Sequence, residues 1–215
     1  MSTQPLAVVV LISGRGSNLQ AIIDAAAHDL PVDLRAVISN RPGVAGLERG
    51  RQAGIAAEVV DHTHYPDRAA FEKELVRVID AHDPGLVVLA GFMRVLTAEF
   101  VAHYRGRLIN IHPSLLPAFP GLDTHARALE AGVTEHGATV HFVTEEVDGG
   151  PPIVQARVPV LANDTPDALA ARVLEQEHRI FPQAIRWFAE RRLSIAHGVV
   201  LLDGEPAIRD QASAA

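Results

Sequence analysis

Leu108-Ile109-Asn110-Ile111-His112-Pro113-Ser114-Leu115-Leu116-Pro117 is the stretch on which the reading of the whole chain turns. Ile109 and Ile111 alternate with Asn110 and His112, a period of two that marks a strand. Residues i and i+2 of a strand point the same way, so the Asn and His side chains share one face. Pro113 carries no backbone N–H and biases the residue before it away from helix, so the strand ends at His112. In open α/β sheets ligands gather at the carboxyl ends of the strands. A carboxamide and an imidazole side by side at such an exit could both polarise a carbonyl oxygen. The plainer alternative is a satisfied polar pair at a sheet edge, because a short motif is a hypothesis until its context is known.

Upstream, residues 6–12 form an unbroken apolar run closed by Ser13-Gly14, as expected of a strand buried on both faces. Helical spacing follows over 19–25, a second strand over 34–39, a short helix over 45–52 and a third strand over 56–60. Residues 67–81 place Phe71, Leu75, Val78 and Ile79 on one stripe, and 85–91 read as the next buried strand. Four alternations of strand and helix predict a doubly wound, mostly parallel α/β sheet with helices on both faces. Downstream the pattern predicts a long loop to Leu122, a short helix over 125–130 and strands over 137–144 and 153–160. Thr165-Pro166-Asp167 opens a long helix reaching about residue 191, with a kink expected at Pro182. An antiparallel hairpin over 194–196 and 199–202 closes the chain. One domain is expected over 1–205, with halves 1–105 and 106–205 and a tail over 206–215.

The 215 residues suffice for a sizeable core, and 48% hydrophobic with 21% charged residues is ordinary globular composition. The formal charge of −7 and the scatter of 18 arginines beside one lysine leave no basic field for nucleic acid. There is no cysteine, which removes disulfides, thiolate nucleophiles and thiolate metal sites. Residues 6–12 are too short for a signal core or a membrane span, so no membrane is expected and the cytoplasm is.

Gly14-Arg15-Gly16-Ser17-Asn18 joins a buried strand to a helix. Its glycines let backbone approach an anion at the helix N-terminus. Leu19 stands where a dinucleotide fingerprint needs its third glycine, and the second strand ends at Ser39-Asn40 without the ribose-binding acid. No Gly-Lys-Ser/Thr follows, so a nucleotide P-loop is excluded. Two readings remain open: a site for a single phosphate, as on a phosphorylated sugar, or a tight turn capped by Ser17. Asp148, in Glu145-Glu146-Val147-Asp148-Gly149-Gly150, reads by itself as a turn aspartate, and otherwise as a loop carboxylate able to take a proton or hold His112. Glu177 fills the gap in a stripe of Leu169, Val173, Phe181 and Ile185. A carboxylate on an apolar face is costly unless paired, so an arginine or a cationic ligand group is expected there. His62-x-His64 and His136 with His141 lack a third ligand at familiar spacing, so no metal is expected. Without a thiol or a Gly-x-Ser-x-Gly elbow, any acyl chemistry would be direct attack by a substrate nucleophile.

Five stretches in order resemble the phosphoribosylglycinamide formyltransferases, folate-dependent enzymes of purine synthesis. They are 11–20, Ala90-Gly91-Phe92-Met93-Arg94, 110–117, His141-Phe142-Val143-Thr144 with Asp148-Gly149-Gly150-Pro151, and Gln176-Glu177-His178. The resemblance spans about residues 6–203. It implies a Rossmann-like N-terminal half and formyl transfer from 10-formyltetrahydrofolate, as co-substrate, to the amine of 5'-phosphoribosylglycinamide, in a monomer or homodimer. By the same resemblance Asn110, His112 and Asp148 are the catalytic trio. Gly14, Arg15, Gly16, Ser17 and Asn18 hold the nucleotide phosphate, and Glu177 holds the glycyl amine. Arg68, Met93, Arg94, Val95, Leu96 and Asn110, with Thr144, Glu145, Glu146, Val147 and Asp148, line the folate site. Arg15 and Ala118 depart from the expected pattern, where relatives carry Asn and a basic residue. A formyltetrahydrofolate deformylase shares the Asn110 and Asp148 regions but carries an added N-terminal domain. Methionyl-tRNA formyltransferase carries an added C-terminal domain and a basic surface. A non-catalytic nucleotide- or folate-binding module would have no use for the trio.

Overall fold

The computed structural model describes residues 4–208. Strand β1 (Leu6–Ile12) sets the architecture, because Val8 to Ile12 are all fully buried. Its even residues Val8, Val10 and Ile12 pack into one core cluster, and its odd residues Val9 and Leu11 into another. A strand whose alternating side chains both meet apolar layers must lie mid-sheet between two helical layers.

The elements follow in order as α1 (Ser17–Ala26), β2 (Val32–Ser39), α2 (Ala45–Gln52), β3 (Ala56–Val59), α3 (Arg68–Asp80), β4 (Leu86–Leu89), α4 (Ala98–His103) and β5 (Leu108–His112). Then come α5 (Thr124–Glu130), β6 (Glu135–Phe142), β7 (Pro152–Pro159) and α6 (Pro166–Ala189). The seven strands are ordered β3-β2-β1-β4-β5-β6-β7. Pairing is parallel from β3 through β5, and antiparallel from β5 to β6 and from β6 to β7. Helices α1, α2, α5 and α6 supply one layer, and α3 and α4 the other. The chain crosses from β1 to β2 on one face and reaches β4 on the other. The crevice at this reversal is where a doubly wound sheet binds ligands.

Local chemistry explains the helix starts. Asp67 accepts from Ala70 N at 2.8 Å to begin α3, and Thr165 accepts from Ala168 N at 3.2 Å to begin α6, where Pro166 follows. The buried stripe of α6 is Leu169, Val173, Glu177, Phe181 and Ile185. Each apolar member contributes about 1.5–3 kcal/mol by leaving water.

Several details differ from the sequence expectations. Helix α6, expected to reach about residue 191, ends at Ala189, and it holds Pro182 within it because packing of its apolar face outweighs one missing backbone hydrogen bond. Helix α4 carries too few residues to show a period and was not read from the sequence. The closing hairpin, β8 (Leu193–Ala196) and β9 (Val199–Leu202), gains a third strand, β10 (Glu205–Pro206), which pairs with β9. The tail expected over 206–215 therefore begins within a paired strand, and from residue 209 it lies outside the described residues.

Candidate active site

The carboxyl ends of β1, β4 and β5 open onto a cleft of about 900 Å³. Asn110, His112, Thr144, Glu145, Glu146, Val147 and Asp148 line it, as do Met93, Arg94, Val95, Leu96, Arg15, Asn18 and Glu177. Arg68 is not among the lining residues. It sits on the exposed first turn of α3.

His112 is buried, and both of its nitrogens face oxygens. Nε2 lies 3.0 Å from the Phe119 carbonyl, which can only accept, so this nitrogen carries a proton. Nδ1 lies 3.4 Å from Asp148 Oδ2. Asp148 adopts the left-handed backbone region, φ 55°, which Asp tolerates better than most residues. Its Oδ2 also accepts from Gly121 N at 2.9 Å, so the carboxylate ties its own loop to the one that follows β5. Gly150 makes this turn possible: a Cβ there would stand 1.8 Å from the Phe142 carbonyl oxygen.

His141 lines the cleft as well and lies outside the trio expected from the sequence. Antiparallel register sets it directly opposite Asn110 on β6. Its Nδ1 donates to the Phe142 carbonyl at 2.9 Å, so the unprotonated Nε2 receives the Asn110 amide at 3.2 Å. Burial lowers its pKa, which keeps that acceptor available. Asn110 thereby has one N–H fixed on His141 and a second to present elsewhere. The only signal in the sequence was the presence of His141 in a matched stretch, because register is not written locally. His125 also lines the cleft, with its ring 5.2 Å from that of His136.

At the turn from β1 into α1, Gly16 is the N-cap at φ 72°, and no side chain caps the helix. The expected alternative of a Ser17 cap is thus not realised: Gly16 takes the cap position and Ser17 is already inside the first turn. A Cβ at Gly16 would lie 2.7 Å from Gly46 Cα, so α2 packs against this loop only because the position is glycine. The first N–H groups of α1 remain open to an anion.

Glu177 is 7% exposed and accepts from Asn18 Nδ2 at 2.6 Å. No arginine neutralises it among the described residues, contrary to one of the two expectations. Burial raises its pKa, and the Asn18 hydrogen bond opposes that only in part. Asn18 Oδ1 is buried without a partner. A carboxylate and an unused amide oxygen thus sit side by side, two acceptors awaiting donors.

Comparisons with known proteins identify the family. The formyl transferase family model matches residues 6–185. The phosphoribosylglycinamide formyltransferase of Escherichia coli K12 is 55% identical over 199 residues, covering 92% of this chain and 94% of that protein. The solved phosphoribosylglycinamide formyltransferase of Coxiella burnetii superposes with a TM-score of 0.90 at 53% identity, covering 94% of this chain and 95% of that one. A formyltetrahydrofolate deformylase from Burkholderia mallei is more distant, at 29% identity and TM-score 0.84, with 93% of this chain matching 70% of that one. The chain belongs to the formyl transferase family, among its phosphoribosylglycinamide formyltransferases, and is a transferase of purine biosynthesis.

Proposed function

We propose that the protein, working in the cytoplasm, moves the formyl group of 10-formyltetrahydrofolate to the amine of 5'-phosphoribosylglycinamide by direct attack, with Asn110, His112 and Asp148 as its catalytic groups. The observation that carries this reading is that one cleft is lined by all three of them and also by Glu177 and Asn18, which present two buried acceptors. The open N-terminus of α1, with Gly14, Arg15, Gly16 and Ser17, is suited to the phosphate. Glu177 and Asn18 Oδ1 are suited to N–H and O–H donors of the same molecule. The exposed apolar side chains Met93 and Val95, with Arg94, Leu96 and residues 144–148, offer a surface for the folate. Arg68 would touch only a ligand long enough to pass beyond the cleft wall.

The chemistry follows from these positions. The neutral amine attacks the formyl carbon, and the carbonyl oxygen takes up the electron pair. The free N–H of Asn110 and the Nε2–H of His112 donate to that oxyanion, which displaces the Phe119 carbonyl from His112. One such donor is commonly worth about 3 kcal/mol of barrier. Asp148 holds the imidazole through Nδ1 and receives, by way of water, the proton lost from the attacking nitrogen. The carbon–N10 bond then breaks, N10 takes a proton, and tetrahydrofolate leaves beside the formylated amine. Holding both reactants in one cleft supplies the proximity contribution.

A spectroscopic assay of 10-formyltetrahydrofolate turnover, with and without 5'-phosphoribosylglycinamide, tests this. Turnover that needs the amine is expected. Equal formate release without it would make the protein a hydrolase and leave Glu177 a structural residue.

A further inference from the structure

The segment that turns from β4 into α4 is held from both sides by buried side chains that take no direct part in the proposed chemistry. At its start, Gly91 turns the chain at φ 78°, and the Met93 N–H donates to Ser13 Oγ at 2.8 Å. Ser13 in turn donates to Asn40 Oδ1 at 2.6 Å, so its hydroxyl is fixed. At its end, Thr97 meets Glu72, a carboxylate on α3 that is only 4% exposed. The Thr97 N–H is shared between Oε1 and Oε2 at 3.1 Å each, and the Thr97 hydroxyl donates to Oε2. The same hydroxyl accepts from Phe100 N at 3.3 Å, which starts α4. Between the two anchorages Met93 and Val95 are 60% and 52% exposed, and Arg94 lies over the Phe71 ring at 5.8 Å.

Large apolar side chains on a turn free to move would gain by covering themselves against the core. Here the backbone on each side is tied down, so the 93–96 segment is offered to the cleft already shaped, and a ligand need not bear the cost of ordering it. Burying a carboxylate is expensive, and among the described residues the hydrogen bonds Glu72 accepts come from Thr97. Tertiary packing alone would be served as well by an apolar side chain at that point in the stripe of α3.

We propose that Glu72 is a positioning residue for the folate half of the site: it sets the 93–96 segment through Thr97, and through it the affinity for the pteridine co-substrate but not for the ribonucleotide. This rests on assigning that segment to folate. Glu72 lies on α3, across the sheet from α1 and α6, which carry Asn18 and Glu177. Its loss should therefore act on one substrate alone, which general damage would not do.

The test is calorimetric titration of the full chain with tetrahydrofolate and, separately, with 5'-phosphoribosylglycinamide. Tetrahydrofolate carries no formyl group, so no reaction intervenes. Glu72→Ala is expected to weaken tetrahydrofolate at least tenfold and to leave the ribonucleotide within twofold. Glu72→Gln keeps one acceptor oxygen but turns an NH2 toward a donor, so it should fall between, in KM for the folate as in Kd. If the alanine variant does not fold, Thr97→Val, which removes the hydroxyl shared with Glu72, should show the same one-sided loss. Equal weakening of both ligands, or no weakening of either, overturns the positioning role while the functional reading stands. Wild-type protein that binds the ribonucleotide but takes up no tetrahydrofolate instead overturns the folate assignment, and the proposal with it.

Discussion

Replacing His112 by alanine removes one of the two N–H donors proposed for the developing oxyanion. Because that contact strengthens as charge develops, kcat should fall about 10²–10³-fold while both substrates bind within a few-fold of wild type. Steady-state kinetics beside calorimetry would check this, and a large change in Kd with little in kcat would make His112 a binding residue. Glu177 poses the opposite case. Its folded pKa is raised by burial, so the native state holds a proton more firmly than the unfolded chain does. Stability is therefore highest below the ordinary carboxylate range and declines as pH rises toward the raised value. Glu177→Gln keeps an acceptor for Asn18 without the buried charge. At pH 7 the unliganded variant should be more stable by on the order of 1 kcal/mol, with KM for the ribonucleotide raised at least tenfold. Denaturant melts and kinetics on one preparation would show both, and a less stable variant would mean that an unseen partner already offsets the charge.

At the level of elements, what was legible in the sequence is what is local. Strand β1 and helix α2 are legible to the residue because an apolar run ends at Ser13-Gly14 and a short helix stops before Gly54. Asn110 and His112 could be placed on one face because the period of a strand is two. The α4 helix is illegible because six residues show no period, and its start depends on Thr97, held by a carboxylate 25 positions away. The His141 contact was illegible because it depends on β5–β6 register, and the opening to Asp148 because it depends on a turn packed under β6. Gly150 makes that last dependence testable. A methyl group 1.8 Å from the Phe142 carbonyl cannot be accommodated without moving the turn, so Gly150→Ala should shift Asp148 away from His112. We expect kcat to fall at least tenfold, with the ribonucleotide Kd unchanged because Asn18 and Glu177 lie on other elements. Retained activity would show that the carboxylate need not stand where it does.

Taken as a whole, the molecule holds several partly or fully buried neutral imidazoles near the site. Desolvation lowers the pKa of His125, His141 and His178, and that of His136 to about 4. His136 is 1% exposed, and neither ring nitrogen has a partner in hydrogen-bonding geometry. It sits edge-on to Phe119, whose carbonyl holds His112, and to His125 in the cleft wall. The sign is that of a base whose folded pKa is depressed. Above about pH 6.5 both states are neutral there and nothing is lost. As pH falls from 6.5 toward 4 the unfolded chain gains a proton that the native ring refuses, so stability drains away over that window. A depression from 6.5 to about 4 corresponds to about 3 kcal/mol by its lower end. His136→Phe removes the titrating group from a pocket already walled by aromatic rings. Its urea-unfolding free energy should decline less between pH 7 and pH 4 than that of the wild type, by up to about 3 kcal/mol. Because the Phe119 segment rests on this ring, acid should release it before the sheet unfolds, so wild-type activity should fail at a higher pH than far-ultraviolet ellipticity does. Parallel acid profiles for the two proteins would instead place the acid-sensitive group elsewhere in the fold.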